Sequence, residues 1–157
     1  MSSRGLFGPI TLTVLIGMLF TLVPLASWAS AIRPAFLVLM VLYWSTMAPY
    51  SGGIALAFFS GLALDVMQGN LIGQHALALS FIAFLSIRFH LLVRAKPLFE
   101  QSFLVLAALL LYELTLWTID TWTGHVASGA SRWIYPFTSA LLWPVIAGFI
   151  GRLHAPH

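Results

Sequence analysis

Residues 34–64, PAFLVLMVLYWSTMAPYSGGIALAFFSGLAL, contain no Asp, Glu, Lys, Arg or His. How often this stretch crosses an apolar layer decides the fold. About 20 apolar residues span a bilayer core of about 30 Å, so the length suffices for one long helix. The cluster Pro49, Tyr50, Ser51, Gly52, Gly53 interrupts it, and Pro and Gly clusters punctuate helices. That leaves 35–48 and 53–66, each about 21 Å long at 1.5 Å per residue. Two short spans, a re-entrant hairpin and one tilted, kinked helix all fit the length alone.

The flanking sequence stays apolar. Residues 5–32, 66–87 and 133–151 also lack Asp, Glu, Lys and Arg. Of 157 residues, 61% are hydrophobic and 7% charged, and the mean hydropathy is +0.99. Soluble domains are about 25% charged, so this is an all-α polytopic integral membrane protein forming one domain over residues 1–157. A membrane β-barrel would show alternating segments of about 10 residues, and the runs here do not alternate. The absence of Cys removes disulfides, thiolate nucleophiles and Cys-based metal sites. The pI of 9.8 rests on seven Lys and Arg, which reads as juxtamembrane charge and not as a nucleic-acid surface. Arg4, the following apolar run and the small residues ASWASA at 26–31 imitate a secretory signal. The run exceeds the roughly 7–15 residues of a signal core and more membrane sequence follows, so retention is expected.

Charge placement chooses among the readings of 34–64. The expected helices are 6–28, 35–48, 53–66, 75–93, 98–122 and 133–152, with a turn at Arg33-Pro34 because the residue before Pro avoids helical geometry. If 34–64 crossed once, an internal Arg4 would send Arg94 and Lys96 outside, against the positive-inside rule. If it crosses twice, Arg4, Arg88, Arg94, Lys96 and Arg152 share the cytoplasmic side, and Arg33 and Arg132 lie opposite. Six spans, two of them short, with both termini cytoplasmic, is the expected topology. A re-entrant hairpin is read as inequivalent, restoring the five-span parity. Trp28, Trp122, Trp133 and Tyr135 are expected at the outer interface, and Tyr43, Trp44 and Tyr50 near the inner one.

This topology gathers Arg33, Asp65, His75, Asp120 and Arg132 at one face, with Glu113 deeper on the same helix stripe as Asp120. Gly53, Ala57, Gly61, Asp65 and Gly69 recur at four-residue spacing, which aligns small residues and one carboxylate on a face that admits a close neighbour. Ala76, Ser80 and Ala83 offer the matching surface. Asp65 is read first as a carboxylate capping or bonding the polar turn QGNLIGQH, satisfied by amide donors from Gln68 to Gly73, and second as an interior ligand or ion site. Glu113 has two readings: a proton or substrate relay with Asp120, or a hydrogen bond to a neighbouring helix. An ionised group at a helix centre costs about 2.5–3.5 kcal/mol by insertion scales, so it must face protein or be protonated.

No enzyme is expected. GASR at 129–132 departs from the GxSG of rhomboid-type proteases, and Ser131 falls in an interfacial loop without a positioned base. GLALD at 61–65 lacks the GxGD of intramembrane aspartyl proteases. His154 and His157 are separated by Pro156 and lack further ligands, so neither a metal nor a cofactor is expected.

The segment Arg33-Pro34, the aromatic run LVLMVLYW at 37–44, and above all LDVMQGNLIGQHALALS at 64–80 resemble the rod shape-determining protein MreD family over essentially the whole chain. The string Leu64, Asp65, Gly69, Gly73, His75, Ala76, Leu77 carries the likeness. The resemblance implies a non-enzymatic component of the bacterial inner-membrane machinery for lateral peptidoglycan synthesis. It also implies the single-span protein MreC as direct partner, with MreB, the RodA glycosyltransferase and a class B penicillin-binding transpeptidase in the wider complex. The family is similar in outline to the six-helix substrate-binding subunits of energy-coupling-factor (ECF) vitamin transporters. That likeness supplies a competing expectation, a small-molecule-binding subunit whose ligand sits among the outer polar residues.

Overall fold

The computed structural model describes residues 3–24, 26–31, 33–51, 53–69, 71–125 and 129–154, with the side chains of residues 3, 4, 30, 31 and 131 outside that description. Gly52, the Arg4 and Ser131 side chains, and His157 therefore lie outside the described residues. The helices are α1 (Ser3–Leu22), α2 (Ser27–Ala31), α3 (Phe36–Met47), α4 (Ile54–Gln68), α5 (Gln74–Arg88), α6 (His90–Arg94), α7 (Leu98–Thr123) and α8 (Tyr135–His154), the last preceded by a 3₁₀ turn at Ala130–Trp133. No strand occurs among the described residues. Among the described residues three helices are long and apolar enough to cross a membrane, at Gly5–Leu22, Leu98–Thr123 and Tyr135–His154; α3, α4 and α5 are shorter apolar helices.

Large apolar side chains such as Leu15, Phe59, Phe103 and Leu141 are exposed along the outside of the bundle. A water-soluble surface does not carry such continuous apolar faces, whereas lipid accepts them. The core is built around α3, where Leu37, Val38, Leu39 and every residue from Val41 to Thr46 are buried. A helix apolar on all sides belongs inside a bundle. Its aromatic end corrects one expectation: Tyr43 and Trp44 are core residues and do not face lipid. Trp44 Nε1 donates to Thr13 Oγ1 at 2.7 Å, and the Tyr43 and Trp44 rings meet edge-on at 5.2 Å.

Contacts between partners fix helix directions. Thr21 in α1 accepts from Leu37 N at the start of α3, and Thr13 meets Trp44 further along, so α1 and α3 are antiparallel. Asp65 meets Gly73 and His75 while Gly61 faces Ala76, giving an α4–α5 hairpin. Arg132 reaches Glu113 and Asp120 while Trp143 Nε1 donates to Gln101 Oε1 at 3.1 Å, giving an α7–α8 hairpin. One cavity is bordered by the C-terminal ends of α1, α4 and α7 and the N-terminal ends of α3, α5 and α8. The six principal helices thus alternate in direction.

Because α3 begins and α4 ends at this cavity, a single helix through 34–64 is excluded. The expected inequivalence of two short spans and a re-entrant pair does not hold either. Both arrangements bring the chain back to the same face, so every later helix end falls in the same place and parity cannot separate them.

Two helix boundaries differ from those read in the sequence. The first helix ends at Leu22, short of Trp28, because Pro24 follows; Pro has no N–H to donate and restricts the residue before it. The segment read as one helix over 75–93 divides at Phe89 into α5 and α6. There the His90 ring nitrogen Nδ1 lies 2.6 Å from the Ile87 carbonyl, so a side chain takes a carbonyl that a continuous helix would use.

Candidate functional site

The α4–α5 turn is built around Asp65, which is fully buried. Gly69 ends α4 in the left-handed region at φ 68°, and its N–H donates to the Asp65 carbonyl. Gly73 starts α5 at φ 98° and has no side chain with which to cap it. Asp65 supplies the missing cap from the neighbouring helix. Its Oδ2 accepts from Gly73 N at 2.9 Å and Ala76 N at 3.4 Å, and its Oδ1 accepts from His75 N at 3.1 Å. A carboxylate at a helix N-terminus satisfies donors that have no partner within the helix and meets the positive end of the helix dipole. His75 Nδ1 completes the set, 2.7 Å from Oδ1. With both oxygens accepting, the ring proton belongs on Nδ1.

The small residues beside Asp65 differ in what they do. A Cβ on Gly61 would stand 2.4 Å from Ala76 Cα and 2.5 Å from Ala76 N, so the two backbones touch there. Ala57 is fully buried on the same stripe. A Cβ on Gly53 would meet only the Pro49 carbonyl at 3.3 Å, outside the α4–α5 contact. A second close approach, Gly17 of α1 against the α3 backbone at Phe36 and Leu37, carries no comparable motif in the sequence.

A second polar group occupies α7 and α8. Arg132 Nη1 donates to Asp120 Oδ2 at 3.1 Å, and its Nε donates to Glu113 Oε2 at 3.3 Å. Gln74 Nε2 donates to Asp120 Oδ1 at 2.6 Å, and Tyr135 lines the same cavity wall as Glu113. The bundle therefore brings together Glu113, Asp120 and Arg132, as two carboxylates sharing one guanidinium. Asp65 and His75 form a separate pair. Arg33 joins neither: its guanidinium donates to the Phe20 and Val23 carbonyls at the end of α1.

These groups surround one cavity of about 530 Å³. Arg33 borders it from the α2–α3 connection, His75 and Gln74 from α5, Glu113 and Asp120 from α7, and Arg132 and Tyr135 from the start of α8. Asp65 sits behind His75 and does not line it. The sequence reading missed Tyr112, Tyr135, Gln68 and Gln74 as lining residues. For Gln68, Gln74 and Tyr135 a polar residue at a helix end is the signal, which becomes specific once the helix directions are known; Tyr112, inside α7, carries no such signal. No group of three or more metal-ligating side chains occurs among the described residues.

No solved structure matches the chain. A rod shape-determining protein MreD of Haemophilus influenzae is 33% identical over 124 residues, covering 76% of this chain and 76% of the relative. The sequence model of the family described as rod shape-determining protein MreD matches residues 2–153, from the start of α1 to the last turn of α8, and includes the whole polar cavity. The chain is a bacterial membrane protein that belongs to the MreD family of rod shape-determining proteins.

Proposed function

We infer that the chain is a non-enzymatic inner-membrane component of the cell-elongation machinery, with both termini cytoplasmic, and that it docks the transmembrane segment of MreC on a lipid-facing helix surface. MreB, RodA and the class B transpeptidase join through that contact. The observation that carries this reading is the family match over residues 2–153. Physical support comes from the shape of the chain. Its described connections are short, so its contacts with other proteins are made chiefly by helix faces, and those faces are apolar. In lipid, helix association runs on close packing and interhelical hydrogen bonds, because burial of apolar surface gives no advantage over lipid tails. The small stripe at Ala57 and Gly61 is used up within the α4–α5 hairpin, so the docking surface lies on another face.

Photo-crosslinkers placed in native membranes at the exposed positions Phe7, Phe59, Phe103 and Leu141 test the docking. Adducts to MreC confined to one helix face are expected. Absence of MreC adducts from every exposed face, with the chain folded, rejects direct docking. Reporter fusions at Lys96 and His125 test the orientation, with Lys96 expected on the cytoplasmic side and His125 opposite.

A further inference from the structure

The cavity at the meeting of six helix ends falls within the roughly 300–1,000 Å³ typical of small-ligand sites. Its charges are unevenly neutralised. Arg33 forms no ion pair with a carboxylate among the described residues, and its Nε is buried without a hydrogen-bond partner. Its guanidinium donates to the carbonyls of Phe20 and Val23, at and just past the end of α1. A helix C-terminus offsets only about half an elementary charge, so this side of the cavity keeps positive charge and an unused donor. The α7–α8 side has the opposite imbalance. Glu113 and Asp120 share the cation Arg132, and the further hydrogen bond to Asp120 comes from the neutral Gln74.

We propose that this cavity binds a zwitterion carrying an anionic oxyacid and a primary ammonium, with the anion directed to Arg33 and the ammonium to Glu113 and Asp120. A buried charge is tolerated only when it is paired. A simple anion would face two α7 carboxylates that have only Arg132 between them, a simple cation would face Arg33, and an apolar molecule would leave both sides unsatisfied. The volume accommodates a headgroup-sized molecule and excludes a whole two-chain lipid. Two sources share this chemistry: a free solute of the phosphoethanolamine type, and the headgroup of an ethanolamine phospholipid reaching in from the bilayer.

The test uses the full-length chain in nanodiscs. Native mass spectrometry after reconstitution in equal phosphatidylethanolamine and phosphatidylglycerol reads retained lipid. Titration of phosphatidylglycerol nanodiscs with O-phosphoethanolamine, and separately with glycerol 3-phosphate, reads free solute. A preference of about tenfold for the ethanolamine-bearing probe in at least one arm is expected, equivalent to about 1.4 kcal/mol. Preference in the lipid arm alone assigns the phospholipid headgroup, and in the solute arm alone a free zwitterion. Arg33→Gln should weaken binding about tenfold, with partial recovery in Arg33→Lys. Glu113→Gln with Asp120→Asn should shift the preference toward glycerol 3-phosphate, a change in selectivity that a purely structural role would not produce. Equal retention of both headgroups together with equal binding of both solutes by the wild-type chain overturns the proposal whether or not any variant folds. Full preference in a folded Glu113→Gln, Asp120→Asn double variant also overturns it.

Discussion

The α4–α5 turn and the α7–α8 entrance both bury carboxylates at the same end of the bundle, and they use them differently. Asp65 is closed off: its oxygens are taken up by donors within eleven residues of it in sequence, and the neighbouring helices touch backbone to backbone at Gly61 and Ala76. Glu113 and Asp120 depend on partners from other elements and border open volume. A carboxylate saturated by its own turn holds the fold. Carboxylates sharing a cation beside a cavity retain capacity for a further partner. Perturbations that separate stability from ligand retention test this difference.

The largest effect is expected at Gly61. Leu there must displace the α5 backbone itself, with no flexible side chain to yield, so Gly61→Leu should exceed the usual overpacking penalty of about 1–3 kcal/mol and leave little folded protein. Yield and monodispersity after detergent extraction measure this. A well-folded Gly61→Leu protein would show that the two helices can separate, and the closed description of this turn would fail.

Asp65→Ala comes next. It strips the acceptor from the start of α5 and leaves His75 unpaired, with an expected loss of about 3–5 kcal/mol, as for breaking a buried pair. Equilibrium unfolding in mixed micelles, followed by tryptophan fluorescence, reads it. The surviving folded fraction should keep its headgroup preference, since Asp65 does not line the cavity. Glu113→Gln should invert this pattern. The amide oxygen can still accept from Arg132, and Asp120 still pairs with it, so the stability loss should stay near 1–2 kcal/mol. Headgroup discrimination should fall in the same preparation. Equal loss of discrimination in the two variants would erase the distinction between the regions.

The Asp65 turn was legible in the sequence because its chemistry is local. Donors, glycines and carboxylate all lie within residues 61–76, and four-residue spacing marks the contact face. The cavity was legible only as a gathering of charges at one face. Arg132 as the bridge between Glu113 and Asp120, and Tyr135 on the cavity wall beside them, depend on how α7 meets α8. Apolar periodicity does not orient α7 when lipid and core are equally apolar. The buried stripe of Gln101, Val105, Leu109, Glu113 and Leu116 emerges only in the fold. The break at Phe89 was hidden for a similar reason, since the ring of His90 competing for a carbonyl leaves no mark in composition.

The smallest effect is expected at Gly73, where the cause is opposite to that at Gly61. An added Cβ at Gly73 meets nothing within 4 Å, but the backbone stands at φ 98°. Gly73→Ala therefore costs only backbone strain, about 1–2 kcal/mol, and Gly73→Asn should cost less despite its size, because Asn enters the left-handed region more readily. At Gly61 the order must reverse, with Ala tolerated better than Asn, because space and not backbone angle is limiting. Unfolding midpoints of the four variants decide it. If both sites rank Ala and Asn in the same order, the division of the turn into a strained residue and a crowded one is wrong, and Asp65 caps a helix whose start is held by some other contact.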